Sequence, residues 1–273
     1  MLSISLTCFR LTSVAFRRAF SFSDASCNVD IAASLLDSQL PNAPPEASVW
    51  MKPYEYGWRH FEIRRTQSAI WQDLHQSGRV PMKEPYAYVW EKWHEAHQWF
   101  EDLPPSRPRP LYDLTKLEMI ATIIQLLAPS PKIPVLSELA QSFLFEYCLE
   151  YCHGLGGAID DKINFASLSY TSGIRVRKIS SIFVRNFKDH REWLLRGAIP
   201  RTDPQVKGSR PPPSYPYPPR SNNADRTLNF INKMTEVLDY LGQRFGIPYW
   251  KDDFCVESQP VIDTLSTPYA CAI

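Results

Sequence analysis

The chain has 273 residues with a formal net charge of +1, 44% hydrophobic and 22% charged residues, enough for one large domain or two small ones with a real core. The near-neutral charge excludes a polyanion-binding surface over the whole molecule, and no apolar run of about eighteen residues marks a membrane span, so no membrane partner is expected. The six cysteines, Cys8, Cys27, Cys148, Cys152, Cys255 and Cys271, are too scattered for a secreted disulfide framework.

Proline outnumbers glycine, 24 to 10, and aromatics are abundant, a composition that suits packed helices joined by stiff proline-rich loops. In chain order, residues 4–20 form an amphipathic helix and SDASCNVDI a loop. The first 23 residues carry Arg10, Arg17, Arg18, five serines and no acid, a composition that also fits a mitochondrial presequence. QLPNAPPEA at 39–47 is a linker, since closely spaced prolines forbid a helix. A helical pattern returns from Tyr54 to about Ser77. Residues 84–102 give the cleanest period, with Tyr86, Val89, Trp90, Trp93, Ala96, His97 and Phe100 at i, i+3, i+4, i+7 spacing. LPPSRPRP stops that helix.

Residues 111–127 are apolar over a wide arc and read as a central helix. APSPKIP breaks it. Ser137 is the expected N-cap of a helix whose buried face runs from Leu136 to Tyr151, ended near His153 by Gly154, Gly156 and Gly157. Residues 158–223 read as a diverged basic, proline-rich insert containing a helix over about 177–196. Its low-complexity end, GSRPPPSYPYPPRSNN, is expected to be extended or disordered. Asn223 is the expected cap of a last clear helix, 224–245, and residues 255–273 carry little signal. The resulting division is 1–45, 46–157, 158–223, 224–254 and 255–273. The expected fold is all-α, an irregular helical bundle with proline-rich loops and a disordered insert.

Few residues carry chemistry. Cys148 and Cys152 stand one helical turn apart beside His153, but zinc needs four donors and no second pair lies near. Buried free cysteines are common, so the pair reads as core. Asp160, Asp161 and Asn164 form a DDxxN run of the kind that binds magnesium in terpene cyclases, where hard oxygen donors hold the ion. The second magnesium motif of such enzymes is incomplete, since Asn232 and Glu236 lack a third member, and the run reads as a solvated turn. His94 and His97 share the Trp-rich helix without a carboxylate on their face. Trp90 and Trp93 are candidates to line a ligand pocket, although aromatic stripes at helical spacing are usually core. Pro212, Pro213 and Tyr215 belong to a PPxY motif that WW domains recognise; a stiff linker is the plainer reading. The segment 175–220 holds eleven Lys/Arg against three Asp/Glu, but no reading helix for nucleic acid accompanies that charge. No nucleophile elbow, P-loop or dinucleotide fingerprint is present. No catalytic residue, metal or cofactor is therefore expected.

Five stretches taken together resemble the fungal-specific transcription factor domain, the middle homology region of zinc-cluster regulators. They are IRRTQSAIWQDL (63–74), the helix 86–103 ending in WFEDLP, LLAPSPKIP (126–134), TEVLDYLGQRF (235–245) and RAFSFSDASCNVDI (18–31). The resemblance covers residues 1–155 and 224–254. It implies an all-α nuclear regulatory module that controls a DNA-binding head encoded elsewhere, contacts other transcription-machinery proteins and responds to a ligand or partner. Three departures accompany it: the six-cysteine zinc cluster is absent, the first half of the domain is missing, and 158–223 does not follow the pattern. The first argues against direct sequence-specific DNA binding by this chain. Together they lead to the expectation of a truncated family member or part of a mispredicted gene. The alternatives are a magnesium-dependent, terpene-cyclase-like enzyme using Asp160 and Asp161, and an adaptor bound to a WW-domain protein through Pro212, Pro213 and Tyr215. The nucleus is the expected location, with the mitochondrion as the alternative.

Overall fold

A computed structural model describes residues 62–78, 80–103, 109–160, 170–203, 211–218 and 222–266. The expectations for 4–20, 18–31 and 39–47, for Asp161 and Asn164, and for the last residues of the tail lie outside these. The all-α expectation holds: every regular element among the described residues is helical. α1 covers 62–71 and closes in a π-helical turn, Gln72–Gln76, where the Ser77 amide donates to the Gln72 carbonyl. Then come α2 (Pro85–Glu101), α3 (Arg109–Leu127), α4 (Glu138–Asp160), α5 (Tyr170–Arg196), α6 (Asn223–Phe245) and α7 (Tyr249–Ser266).

The centre of the bundle is α4, which packs against α3, α5 and α6, while α2 lies on α3 and α7 on α5 and α6. α3, read from sequence as central, is buried between α2 and α4. Burial of apolar side chains drives this arrangement. One line of rings ties three helices together: Phe145 of α4 stacks on Phe183 of α5 at 5.3 Å between centroids, and Phe183 on Phe230 of α6 at 3.7 Å. α1 buries Ile63 and Ile70 and is held on α3 by polar bonds. Gln67 donates to the Thr122 hydroxyl at 2.8 Å, and Glu118 takes ion pairs from Arg64 at 2.8 Å and Arg175 at 2.7 Å.

Ser137 caps α4 as its sequence predicts, its hydroxyl accepting from the Ala140 amide at 3.2 Å. The glycines do not end that helix. α4 continues through Gly154, Gly156 and Gly157 to Asp160, and at the first two the missing side chain admits a neighbour. A Cβ at Gly154 would stand 3.1 Å from Leu117 of α3, and one at Gly156 would stand 2.9 Å from Lys233 of α6.

The separation of 158–223 from the helical body fails for its described residues. α5 has 27 residues, starts seven earlier than about 177, and buries Val176, Ile179, Phe183, Val184 and Phe187 in the common core. Among its basic residues, Arg175 pairs with Glu118 of α3, Arg177 with Glu257 of α7, and Lys178 lies over the Trp71 ring of α1. Asn223 also departs from expectation: the cap position is Asn222, while the buried Asn223 amide turns back and donates to the Leu194 carbonyl at 2.6 Å. It thereby joins the Gly197 amide, which donates to the same carbonyl at 3.2 Å, in satisfying the end of α5. α6 ends at Gly246, whose φ of 70° supplies the left-handed turn into α7.

The tail is a correction too, since α7 runs from Tyr249 to Ser266 with Pro260 inside it. Pro260 cannot donate to the carbonyl of Val256, and both residues lie on the exposed side of the helix. Glu257 fastens α7 to α5, accepting from Arg177 at 2.8 Å and Ser181 at 2.7 Å. Burial alone would raise its pKa, yet these two donors and the Arg177 charge hold it below the ordinary value.

Candidate interaction site

The candidate site is built where α2, α4, α6 and the proline-rich strap 211–218 meet. α2 is amphipathic, begins with Pro85 in its first turn and turns Val89, Trp90 and Ala96 into the core. Trp90 is almost completely enclosed, packs edge-on to Phe143 and donates through Nε1 to Asp203 at 2.8 Å. It is a core side chain whose polar atom is satisfied by a residue beyond α5. Trp93, one turn on, is half-buried and donates to the Tyr147 hydroxyl at 3.1 Å.

Tyr147 of α4 organises the next layer. Its hydroxyl also lies 2.9 Å from Nε2 of His97, whose ring tilts against Trp93 at 3.9 Å. Because Trp93 can only donate, the phenol accepts from Trp93 and donates to His97, which requires His97 to be neutral at Nε2. Burial, with a contribution from nearby His94, lowers the His97 pKa to about 4. Burial also pushes the Tyr147 phenol well above its usual range.

Beside this layer, Glu146 and Arg226 form an enclosed ion pair between α4 and α6 at 2.8 Å, and the Arg226 guanidinium lies over the Phe145 ring. The strap covers this pair. Tyr215 stands edge-on to Phe143 at 5.4 Å between centroids, and its phenol donates to Glu146 at 3.4 Å. Pro212 and Pro213 are half-buried, and the carbonyl of Pro211 lies 2.9 Å from His94 Nε2. A small cavity, about the size of one water molecule, remains under the strap among Ser142, Glu146, Trp193, Tyr215 and Asn223.

The other candidates lie elsewhere. Cys148 and Cys152 are buried on α4; burial pushes the Cys148 thiol far up and the Cys152 thiol up to about 12. Both are therefore protonated at neutral pH and are poor ligands in that form. Asp160 is the last residue of α4, whereas Asp161 falls outside the described residues. Asn232 and Glu236 face outward on α6. Among the described residues, no three His, Cys, Asp or Glu side chains stand close enough to hold a metal ion, and no helix is long and apolar enough to cross a membrane.

The structure thus brings together Trp90, Trp93, Pro212, Pro213 and Tyr215, which the sequence suggested for two unrelated roles. It adds Phe143, Glu146, Tyr147, Asp203 and Arg226. Sequence signal for these was confined to the apolar face of α4; the partners of Glu146 lie 69 and 80 positions away. In comparisons with known proteins, no protein-family model, curated protein or solved structure matches this chain.

Proposed function

We propose that this chain is a non-catalytic regulatory module of the kind found in the middle of fungal zinc-cluster transcription factors, acting in the nucleus through protein contacts. The observation that carries this reading is where the resembling stretches fall. IRRTQSAIWQDL is α1 and its π turn, with Gln67 buried and bonded to Thr122 of α3. LLAPSPKIP covers the last two residues of α3 and the folded turn after it, in which Ser130 and Ile133 exchange backbone hydrogen bonds at 3.0 and 3.1 Å. TEVLDYLGQRF is the second half of α6, whose Val237, Leu238 and Leu241 are enclosed in the core. Residues of the resemblance therefore occupy positions that join helices, where a fold is most demanding of residue type.

The DNA-contacting head and the transcription-machinery partners belong to the proposal. The test is to fuse the full chain to an unrelated DNA-binding head and measure a reporter carrying that head's site. A several-fold change relative to the head alone is expected, lost when Glu118→Ala disrupts the α1–α3–α5 ion pairs. Reporter output equal to that of the head alone, with the fusion confirmed in the nucleus, would count against the reading.

A further inference from the structure

The strap sits on the helical body as a peptide ligand sits on its receptor. Pro211, Pro212, Pro213, Pro216 and Pro218 restrict it to extended backbone without amide donors at those positions, so it binds through ring faces, carbonyls and tyrosines. One carbonyl and both tyrosines are engaged. The Pro211 carbonyl meets His94, the Tyr215 ring meets Phe143, the Tyr215 phenol meets Glu146, and Tyr217 packs edge-on to Tyr215 at 5.4 Å. The floor is aromatic, and its Tyr147 hydroxyl is fixed by Trp93 and His97. An aromatic groove with one carboxylate beside it is the chemistry by which proline-rich, tyrosine-containing peptides are recognised.

We propose that the face built by Trp93, His94, Phe143, Glu146 and Tyr147 is a recognition surface for proline–tyrosine peptides, held shut in cis by residues 211–218. Its partner is a protein carrying an equivalent proline–tyrosine tract, which takes the groove when the strap lifts. The strap is joined to the body at both ends, so its effective concentration is on the order of millimolar. A peptide of similar intrinsic affinity added in trans loses that competition, and the intact chain binds it weakly. The proposal is independent of the transcriptional reading.

The test titrates a fluorescent peptide of sequence RPPPSYPYPPR into the full chain and into its Tyr215→Ala/Tyr217→Ala variant. The variant, with the cis anchors gone, is expected to bind at least about tenfold tighter than the unaltered chain, and a peptide with both tyrosines replaced by alanine is expected not to bind. A double variant with unchanged helical circular dichroism that binds no better than the parent overturns the proposal. Should the double variant lose its helicity, Tyr217→Ala alone decides: improved binding supports the groove, and a folded chain without improvement overturns it. A WW domain that binds the unaltered chain as tightly as the free peptide also overturns it, since the strap would then be free.

Discussion

The Trp90 indole donates to the Asp203 carboxylate at 2.8 Å across 113 positions of chain. This bond pins the segment leaving α5 to the buried side of α2. Burial raises the Asp203 pKa, and hydrogen bonds from Ser137 and Trp90 work against that rise. Trp90→Phe keeps most of the apolar ring and removes one of the donors. It is expected to cost about 1.5–3 kcal/mol, the contribution of a hydrogen bond to a charged group, measured by urea unfolding. Trp90→Phe in an Asp203→Leu background should cost less, because the carboxylate that loses a donor is gone.

The ion pair Arg226–Glu146 is enclosed, with side-chain exposures of 16% and 6%. Glu146→Ala leaves the guanidinium without its partner and is expected to cost about 3–5 kcal/mol. The joint change Glu146→Leu/Arg226→Met removes both charges and should recover a large part of that loss. Equal instability of the single and joint variants would show that the pair acts through shape alone.

The neutral state of His97 makes stability depend on pH. Its folded pKa, lowered by burial to about 4, lies below the ordinary value of 6.5, so between these values the unfolded chain binds the proton and the folded chain does not. The contribution of His97 is complete above pH 6.5 and is lost as the pH falls toward 4. His97→Gln should therefore flatten the stability profile across this window, read as the difference from the parent chain. An identical slope in both would contradict a buried His97 that stays neutral as the pH falls through this window.

Two glycine substitutions separate local propensity from packing. At Gly157 a Cβ would meet nothing within 4 Å, so Gly157→Ala should stabilise α4 by about 1 kcal/mol through helix propensity alone. At Gly173 a Cβ would lie 2.5 Å from the Trp250 ring. Gly173→Ala should destabilise by about 1–3 kcal/mol despite the same gain in propensity, because the α5–α7 contact is overfilled. Thermal unfolding of the two variants reads both signs.

Sequence periodicity was sufficient for α2, α3 and α6, whose buried faces repeat regularly and whose ends are marked by proline or glycine. It failed where local chemistry and tertiary need diverge. Gly154 and Gly156 carry the helix-ending residue type, yet they serve close approach by Leu117 and Lys233. Pro260 and the acidic residues of α7 obscured a helix that is held by Trp250, Phe254 and Val261. For the interaction site, Trp90, Trp93 and Tyr215 were visible as residue types, but not as neighbours. Their association depends on α5 returning the chain to α2 and α4, and periodicity carries no information about such pairings.

Both the regulatory reading and the peptide groove require α5 and the strap to belong to one body with α4. Hydrogen exchange read by mass spectrometry tests this directly. Amides of 174–194 are expected to exchange in the same slow class as those of 140–156 and 228–241, close to the rate of global unfolding. Rapid exchange throughout 174–194 while 140–156 stays protected would contradict it, leaving α5 detached from α4 and α6.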